Sequence, residues 1–323
     1  LGIRAITGSV VIDSSDFPDA TTPPGWASED IPWPYGARLQ GANFRDNRFR
    51  LRLPSKETVP FVPDLKFTFK PTKGRAAKVD RKDGSETFSV TGNTRRGVSD
   101  MFAMPYPWKV MRHEVIQALG DAGIAVKGAD ISAVGDEIPV YTHLSPEFGE
   151  ILRSLMFRSD NLMAEGMLRV IAPGGTRAEA IAEEQAVWTM AGISAHGVNI
   201  VDGSGLSRDN RLTARFLGEV NRYMLGEEFG ADFTGLFPRA GYDGTLRNFL
   251  VDTPLEGRVA MKTGSMKGVQ SYSGYLFDDE GRPTHVLVFI ANGFRCSRAA
   301  LKNSIQGLLL DTFCVSLQNE TDQ

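Results

Sequence analysis

Two short polar strings in this chain have the composition of a reaction site. Lys262-Thr263-Gly264 follows the strand-like stretch 257–261. A lysine near the end of a strand, facing a cleft, supplies fixed positive charge, and the threonine after it offers a hydroxyl to a carboxylate. Glycine then lets a substrate backbone approach the strand edge, where an extended peptide can be held by strand addition. Ser159-Asp160-Asn161 lies in a helical pattern. Its Ser159 can relay a proton beside a nucleophile, its Asn161 can orient a substrate amide, and Asp160 is expected to point inward and fix the turn. Each string alone has a plainer explanation. Ser-Asp-Asn often caps a helix, and Lys-Thr-Gly can arise by chance in a strand. A third string, Asp-Gly-Ser-Gly-Leu-Ser-Arg at residues 202–208, lies between them and on its own reads as a strand-to-helix turn.

The elements that must position these residues change character along the chain. Residues 1 to about 105 read as mostly β. Residues 3–13 are apolar and β-branched, Phe49-Arg50-Leu51-Arg52-Leu53 alternates strictly, and 67–69 and 87–91 alternate in the same way. Lys82-Asp83-Gly84-Ser85 is a turn signal. Residues 21–36 are rich in Pro, Trp and Gly and are expected to form a fixed loop. From Lys109 the period becomes helical, with Gly120 and Gly123 as stops. Helical patterns follow at 146–172, 176–191, 213–225 and from Ser297, with a short strand at 198–201. Strand patterns at 258–263, 272–277 and 285–292 come late, the last two joined as a hairpin. The reading is multidomain: a β-rich module, then an α/β domain from about Tyr141 whose late strands are antiparallel and sandwiched by helices. No Gly-rich strand-to-helix phosphate loop is present.

Composition narrows the function classes. The 323 residues are 41% hydrophobic and 23% charged, which is ordinary globular usage. A net charge of −3, with basic residues scattered apart from a loose group at 66–82, gives no reason to expect nucleic-acid binding. No apolar run is long enough to span a bilayer, and these residues are not expected to include a signal peptide. The four histidines are dispersed without metal-ligand spacing. Cys296 and Cys314 flank one predicted helix and are too far apart to bond.

Taken together, the strings resemble one family. In order, spacing and wording the chain resembles the class C low-molecular-mass penicillin-binding proteins, the D-alanyl-D-alanine carboxypeptidase/endopeptidase group. The resemblance rests on Ser159-Asp160-Asn161-Leu162, residues 202–208, Ala-Gly-Tyr-Asp-Gly-Thr-Leu at 240–246, and residues 262–269. Ile6-Thr7-Gly8, Val11-Ile12-Asp13-Ser14 and Pro24-Gly25-Trp26 match the start of that family's inserted module. Nearly the whole chain is covered. The family's nucleophile motif, Ser-x-x-Lys, is not: no serine here has lysine three places on. With the abrupt opening at Leu1, this leads to the expectation that the sequence is a fragment.

The resemblance implies a penicillin-recognising transpeptidase-like domain with inserted β-rich domains and without its N-terminal part. The inserted domain is expected at 1–55 and 95–140, a small nested β domain at 56–94, and the C-terminal part of the catalytic domain at 141–323. The implied activity is a serine-type D-Ala-D-Ala carboxypeptidase/endopeptidase that cleaves peptidoglycan stem peptides through an acyl-enzyme, outside the cytoplasm, without cofactor or metal, and inhibited by β-lactams. Implied catalytic residues are Ser159, Asn161 and Lys262. Implied substrate-binding residues are Thr263, Gly264, Ser265 (through its oxyanion-stabilising N–H), Asp30, Tyr35, Arg208 and Met266. Asp30, Tyr35 and Arg208 would bracket the side chain of the stem peptide's third residue, whose ammonium and carboxylate need an anion and a cation. Ser159, Asn161, Lys262 and Thr263 are expected to converge on one cleft, and the chain alone is expected to be inactive. The alternative is a non-catalytic peptidoglycan-binding protein that has lost its nucleophile.

Overall fold

The computed structural model describes residues 2–19, 21–72, 78–93, 98–129 and 139–314. The strands are β1 (Ala5–Gly8), β2 (Arg48–Leu53), β3 (Glu57–Val59), β4 (Lys66–Lys70), β5 (Lys78–Arg81), β6 (Thr87–Thr91), β7 (Val98–Ala103), β8 (Ala125–Ala129), β9 (Val259–Met266), β10 (Val269–Phe277) and β11 (Pro283–Asn292). The helices are α1 (Pro107–Asp121), α2 (Phe148–Arg158), α3 (Asn161–Val170), α4 (Arg177–Met190), α5 (Ala214–Gly226), α6 (Gly230–Gly235) and α7 (Arg298–Phe313). The chain divides into two compact units. The first comprises Leu1–Ser145, Asn161–Ala180 and Val201–Arg208; the second comprises Pro146–Asp160, Ile181–Ile200 and Asp209–Gln323.

The first unit is built on short sheets. β2 explains itself: in Arg-Phe-Arg-Leu-Arg-Leu every second side chain is apolar, and Phe49, Leu51 and Leu53 are buried while Arg50 and Arg52 face solvent. β2 pairs antiparallel with β3 and β7. A second sheet has the order β4-β6-β5, with β4 parallel and β5 antiparallel to β6. Of the basic group at 66–82, Lys66 and Lys70 thus lie on β4 and Lys78 and Arg81 on β5, the two strands that flank β6. Phe49, Phe88, Phe102 and Val90 share one core with Met104 and Val110. α1 begins at Pro107, whose missing N–H costs nothing at a helix start. The strand expected at 3–13 shrinks to Ala5–Gly8, which among the described residues pairs in parallel with β8, while Val10 O accepts from Arg112 Nε at 2.8 Å.

The second unit is a three-stranded antiparallel sheet, β11-β10-β9, with helices on both faces. On one face Val259, Met261, Tyr272, Leu276 and Leu287 pack against Ile305 and Leu309 of α7. On the other, Ala260, Tyr275 and Phe277 pack against Phe237, with Met156 of α2, Leu225 of α5 and Phe233 of α6. Alternation along β9 therefore puts Lys262 on the same face as Ala260, toward α2. Thr213 and Ser297 cap α5 and α7, each accepting a backbone N–H three residues on. The strand expected at 198–201 is reduced to a single bridge, Asn199 with Arg211. Gly197 (φ 76°) and the turn from Asp202 leave it no length.

Candidate active site

Ser159 ends α2. It caps the helix in the left-handed region (φ 53°, ψ 52°), with its N–H donated to Leu155 O. Glycine is the usual residue there, and a serine is strained by about 1 kcal/mol. The one helical pattern read at 146–172 is thus two helices, α2 and α3, broken at the Ser-Asp-Asn string. Asp160 is largely buried and ion-pairs with Arg158 at 2.9 Å.

Within the second unit, Lys262 reaches Ser159 from 103 positions away: its Nζ donates to Ser159 Oγ at 2.6 Å and to Thr263 O at 2.7 Å. Burial pushes the Lys262 ammonium down to about 8. Thr263 Oγ1 donates to Thr245 Oγ1 at 2.9 Å. Thr245 lies in the 240–246 string, but its contact with Thr263 could not be read from spacing.

β9 is an edge strand, and its parity sets what the edge offers. Met261 N–H bonds Pro238 O and Val259 O accepts from Ala240 N–H, so odd-numbered residues direct their backbone polar groups away from β10. The same parity turns the N–H and C=O of Thr263 and Ser265 to the outer edge. Met266 closes β9 before the Lys267-Gly268 turn, and its carbonyl accepts from Arg298 at 2.6 Å. A Cβ at Gly264 would stand 2.5 Å from Ser271 Oγ, so a side chain at the third motif position requires that hydroxyl to turn away.

The remaining site residues belong to the first unit. Asn161, the first residue of α3, donates its amide to Tyr35 O at 2.8 Å. Tyr35 Oη donates to Asp30 Oδ1 at 3.1 Å, and burial with the Asp30 carboxylate pushes the Tyr35 phenol up to about 12, so it remains a donor. Gly36 permits this loop, since a Cβ there would lie 2.0 Å from Asp30 O. Arg208 ion-pairs at 2.8 Å with Glu29, the neighbour of Asp30 that sequence reasoning passed over.

The 202–208 string proves to be a clamp on the Pro24-Gly25-Trp26 string. Asp202, 4% exposed, accepts from Trp26 Nε1 at 2.8 Å, Gly205 N–H at 2.8 Å and Ser207 N–H at 2.6 Å. Ser207 Oγ donates to Pro24 O at 2.6 Å, and Arg208 N–H to Gly25 O at 3.2 Å. Glu165 of α3, also buried, accepts from Ser204 N–H; burial, aided by the Asp202 charge, raises its pKa. Neither Glu165 nor the Trp26–Asp202 bond had a signal in the sequence.

The sequence profile of the D-Ala-D-Ala carboxypeptidase 3 (S13) family matches residues 1–311. The chain belongs to that family. This S13-family chain is 28% identical over 317 residues to a D-alanyl-D-alanine carboxypeptidase of Actinomadura sp. strain R39, covering 87% of the chain but 59% of that protein. It is 26% identical over 346 residues to the D-alanyl-D-alanine carboxypeptidase DacB of Haemophilus influenzae, covering 99% of the chain and 71% of that protein. The crystal structure of Haemophilus influenzae penicillin binding protein 4 superposes with a TM-score of 0.80 at 23% identity, over 97% of this chain and 76% of that one, which shows a common fold. Among the described residues of the S13-family chain no cluster of three or more His, Cys, Asp or Glu is placed to hold a metal, and no helix is long and apolar enough to cross a membrane.

The depressed Lys262 carries a pH prediction. Below about 8 the ammonium donates to Ser159; above it the amine can accept a proton from that hydroxyl. A lysine-selective NMR titration of the chain should find a midpoint near 8; a value near the ~10.4 of an exposed lysine would show that Lys262 is not desolvated. A carboxylate arriving beside it stabilises the charged form, so carboxylate binding above the midpoint should take up a proton.

Proposed function

We propose that the chain supplies the Ser-x-Asn and Lys-Thr-Gly elements of a serine-type D-Ala-D-Ala carboxypeptidase/endopeptidase that acts on peptidoglycan stem peptides outside the cytoplasm. The observation that carries this reading is the 2.6 Å bond from Lys262 to Ser159, which joins the two motifs into one proton-handling pair. Lys262 holds the terminal carboxylate of the peptide and, with Ser159, relays the proton lost by the attacking serine and needed by the leaving amine. Thr263 adds a hydroxyl to the carboxylate. The outward N–H of Ser265 stabilises the tetrahedral oxyanion, and the open edge of β9 takes the extended peptide as an added strand. Asn161 orients the scissile amide. Asp30 and Tyr35 receive the ammonium of the third residue's side chain, Arg208 receives its carboxylate, and Met266 packs along it. In this reading 1–55 and 95–140 form the inserted β-rich domain, and 56–94, with β4, β5 and β6, the small domain nested in it.

The chemistry is acyl transfer, so β-lactams that mimic D-Ala-D-Ala acylate the same serine; a β-lactam complex is known for the Haemophilus influenzae protein. The named relatives are carboxypeptidases, which favours catalysis over peptidoglycan binding alone. The attacking serine is not among these 323 residues, because none is followed by lysine three places on. The chain by itself is therefore expected neither to hydrolyse a D-Ala-D-Ala peptide nor to form a stable penicillin adduct. Intact mass spectrometry with penicillin tests this. A stoichiometric acyl adduct on any serine would overturn the assignment, with Ser204 and Ser265 the first to check.

A further inference from the structure

In the first unit, four polar side chains sort into two pairs: Arg208 with Glu29 at 2.8 Å, and Tyr35 with Asp30 at 3.1 Å. The backbone beneath them is fixed by the Asp202 clamp, since Arg208 N–H is bonded to Gly25 O and Trp26 to Asp202. The Arg208–Glu29 pair itself is open to water, with side chains 50% and 59% exposed. Pairs this exposed are weak and exchange partners readily. We propose that Glu29 is an internal competitor for Arg208: its carboxylate occupies the guanidinium that would otherwise take a ligand carboxylate, and it must yield when one arrives. This rests on the function proposed above.

The charge count gives the proposal its direction. Glu29, Asp30 and Arg208 together carry one net negative charge. That balance suits a side chain ending in an ammonium alone, which Asp30 and Tyr35 receive while Glu29 keeps Arg208. A side chain ending in both an ammonium and a carboxylate is neutral overall. Its carboxylate meets the Glu29 carboxylate at the same cation, and one must leave. Glu29 is thus a specificity-determining residue that lowers the preference for carboxylate-bearing side chains without touching the reacting end.

The test uses the 323-residue chain and two synthetic peptides ending in D-Ala-D-Ala. They differ only in the third residue, a diaminodicarboxylic acid or lysine. Calorimetry, with Arg side-chain NMR at excess peptide where affinity is low, compares wild type, Glu29→Gln, Arg208→Ala and the double variant. Glu29→Gln should tighten binding of the dicarboxylate peptide by about three- to tenfold. It should leave the lysine peptide unchanged or weaker, and its gain should vanish when Arg208 is also removed. Equal shifts for both peptides, or no shift, would overturn the role of Glu29 while leaving the reading of the pocket intact, provided Arg208→Ala still weakens the dicarboxylate peptide selectively. If neither peptide responds to Arg208→Ala, or neither reaches Arg208 in any variant, the proposal fails together with that reading.

Discussion

Lys262→Ala is expected to slow penicillin acylation and D-Ala-D-Ala hydrolysis by about a hundred- to a thousandfold, measured in a form of the protein that carries a Ser-x-x-Lys serine. The substitution removes both the cation for the substrate carboxylate and the group bonded to Ser159. Two controls separate chemistry from folding. The ammonium is already disfavoured by its surroundings, with its pKa pushed down to about 8. Its cost to the folded chain is present at pH 7 and disappears as pH rises through that value toward the exposed-lysine range, so Lys262→Ala should leave the thermal midpoint at pH 7 unchanged or higher. Lys262→Arg keeps the charge but cannot release a proton near neutral pH. If it restores acylation to within about tenfold, the residue works by charge alone and the relay with Ser159 is wrong.

The largest effect on stability is expected at Asp202. Its buried carboxylate accepts from Trp26, Gly205 and Ser207 at 2.6–2.8 Å, and replacement by alanine strips this acceptor from three donors, of which the Ser207 N–H is buried and the other two are part-buried. At about 1–3 kcal/mol per unsatisfied group, partly recovered by relaxation, the loss should be about 3–5 kcal/mol. That is a large share of the ~5–15 kcal/mol typical of a whole domain. Asp202→Asn keeps the shape and an acceptor oxygen and should recover part of the loss. Urea unfolding followed by tryptophan emission would read it, since Trp26 is itself a partner. A loss below about 1 kcal/mol would mean that the clamp is not what holds residues 24–26 to residues 202–208.

These two residues also mark what could be read before the structure. Lys262 and Ser159 were legible because their chemistry lives in short strings, and the late strands because alternation is local. The starts of α5 and α7 were legible from helical pattern, and Thr213 and Ser297 cap them through bonds that span only three residues. What escaped was decided by distant partners. The Trp26–Asp202 bond joins positions 176 apart, and nothing in either string names the other. Glu29 escaped because two neighbouring acids look alike until geometry gives one to Arg208 and the other to Tyr35. The helix break at Ser159 escaped because the usual stop signal is glycine, and this backbone adopts the left-handed conformation without one. Residues 9–13 were read as strand from a correct pattern, but Val10 O is taken by the side chain of Arg112, a partner 102 positions away.

The outer edge of β9 has a consequence beyond any ligand. Backbone groups left free at a sheet margin will accept a strand from any source, including a second copy of the same protein, and such margins seed aggregation. Here the hazard is contained in three ways. The segment 238–240 already occupies the first half of the edge. Only Thr263 and Ser265 remain to offer outward backbone groups, too few to register a foreign strand stably. The Thr263 carbonyl already accepts from Lys262 Nζ at 2.7 Å, which shortens the free margin further. The same short, guarded margin that can admit one extended peptide is thereby a poor template for polymerisation.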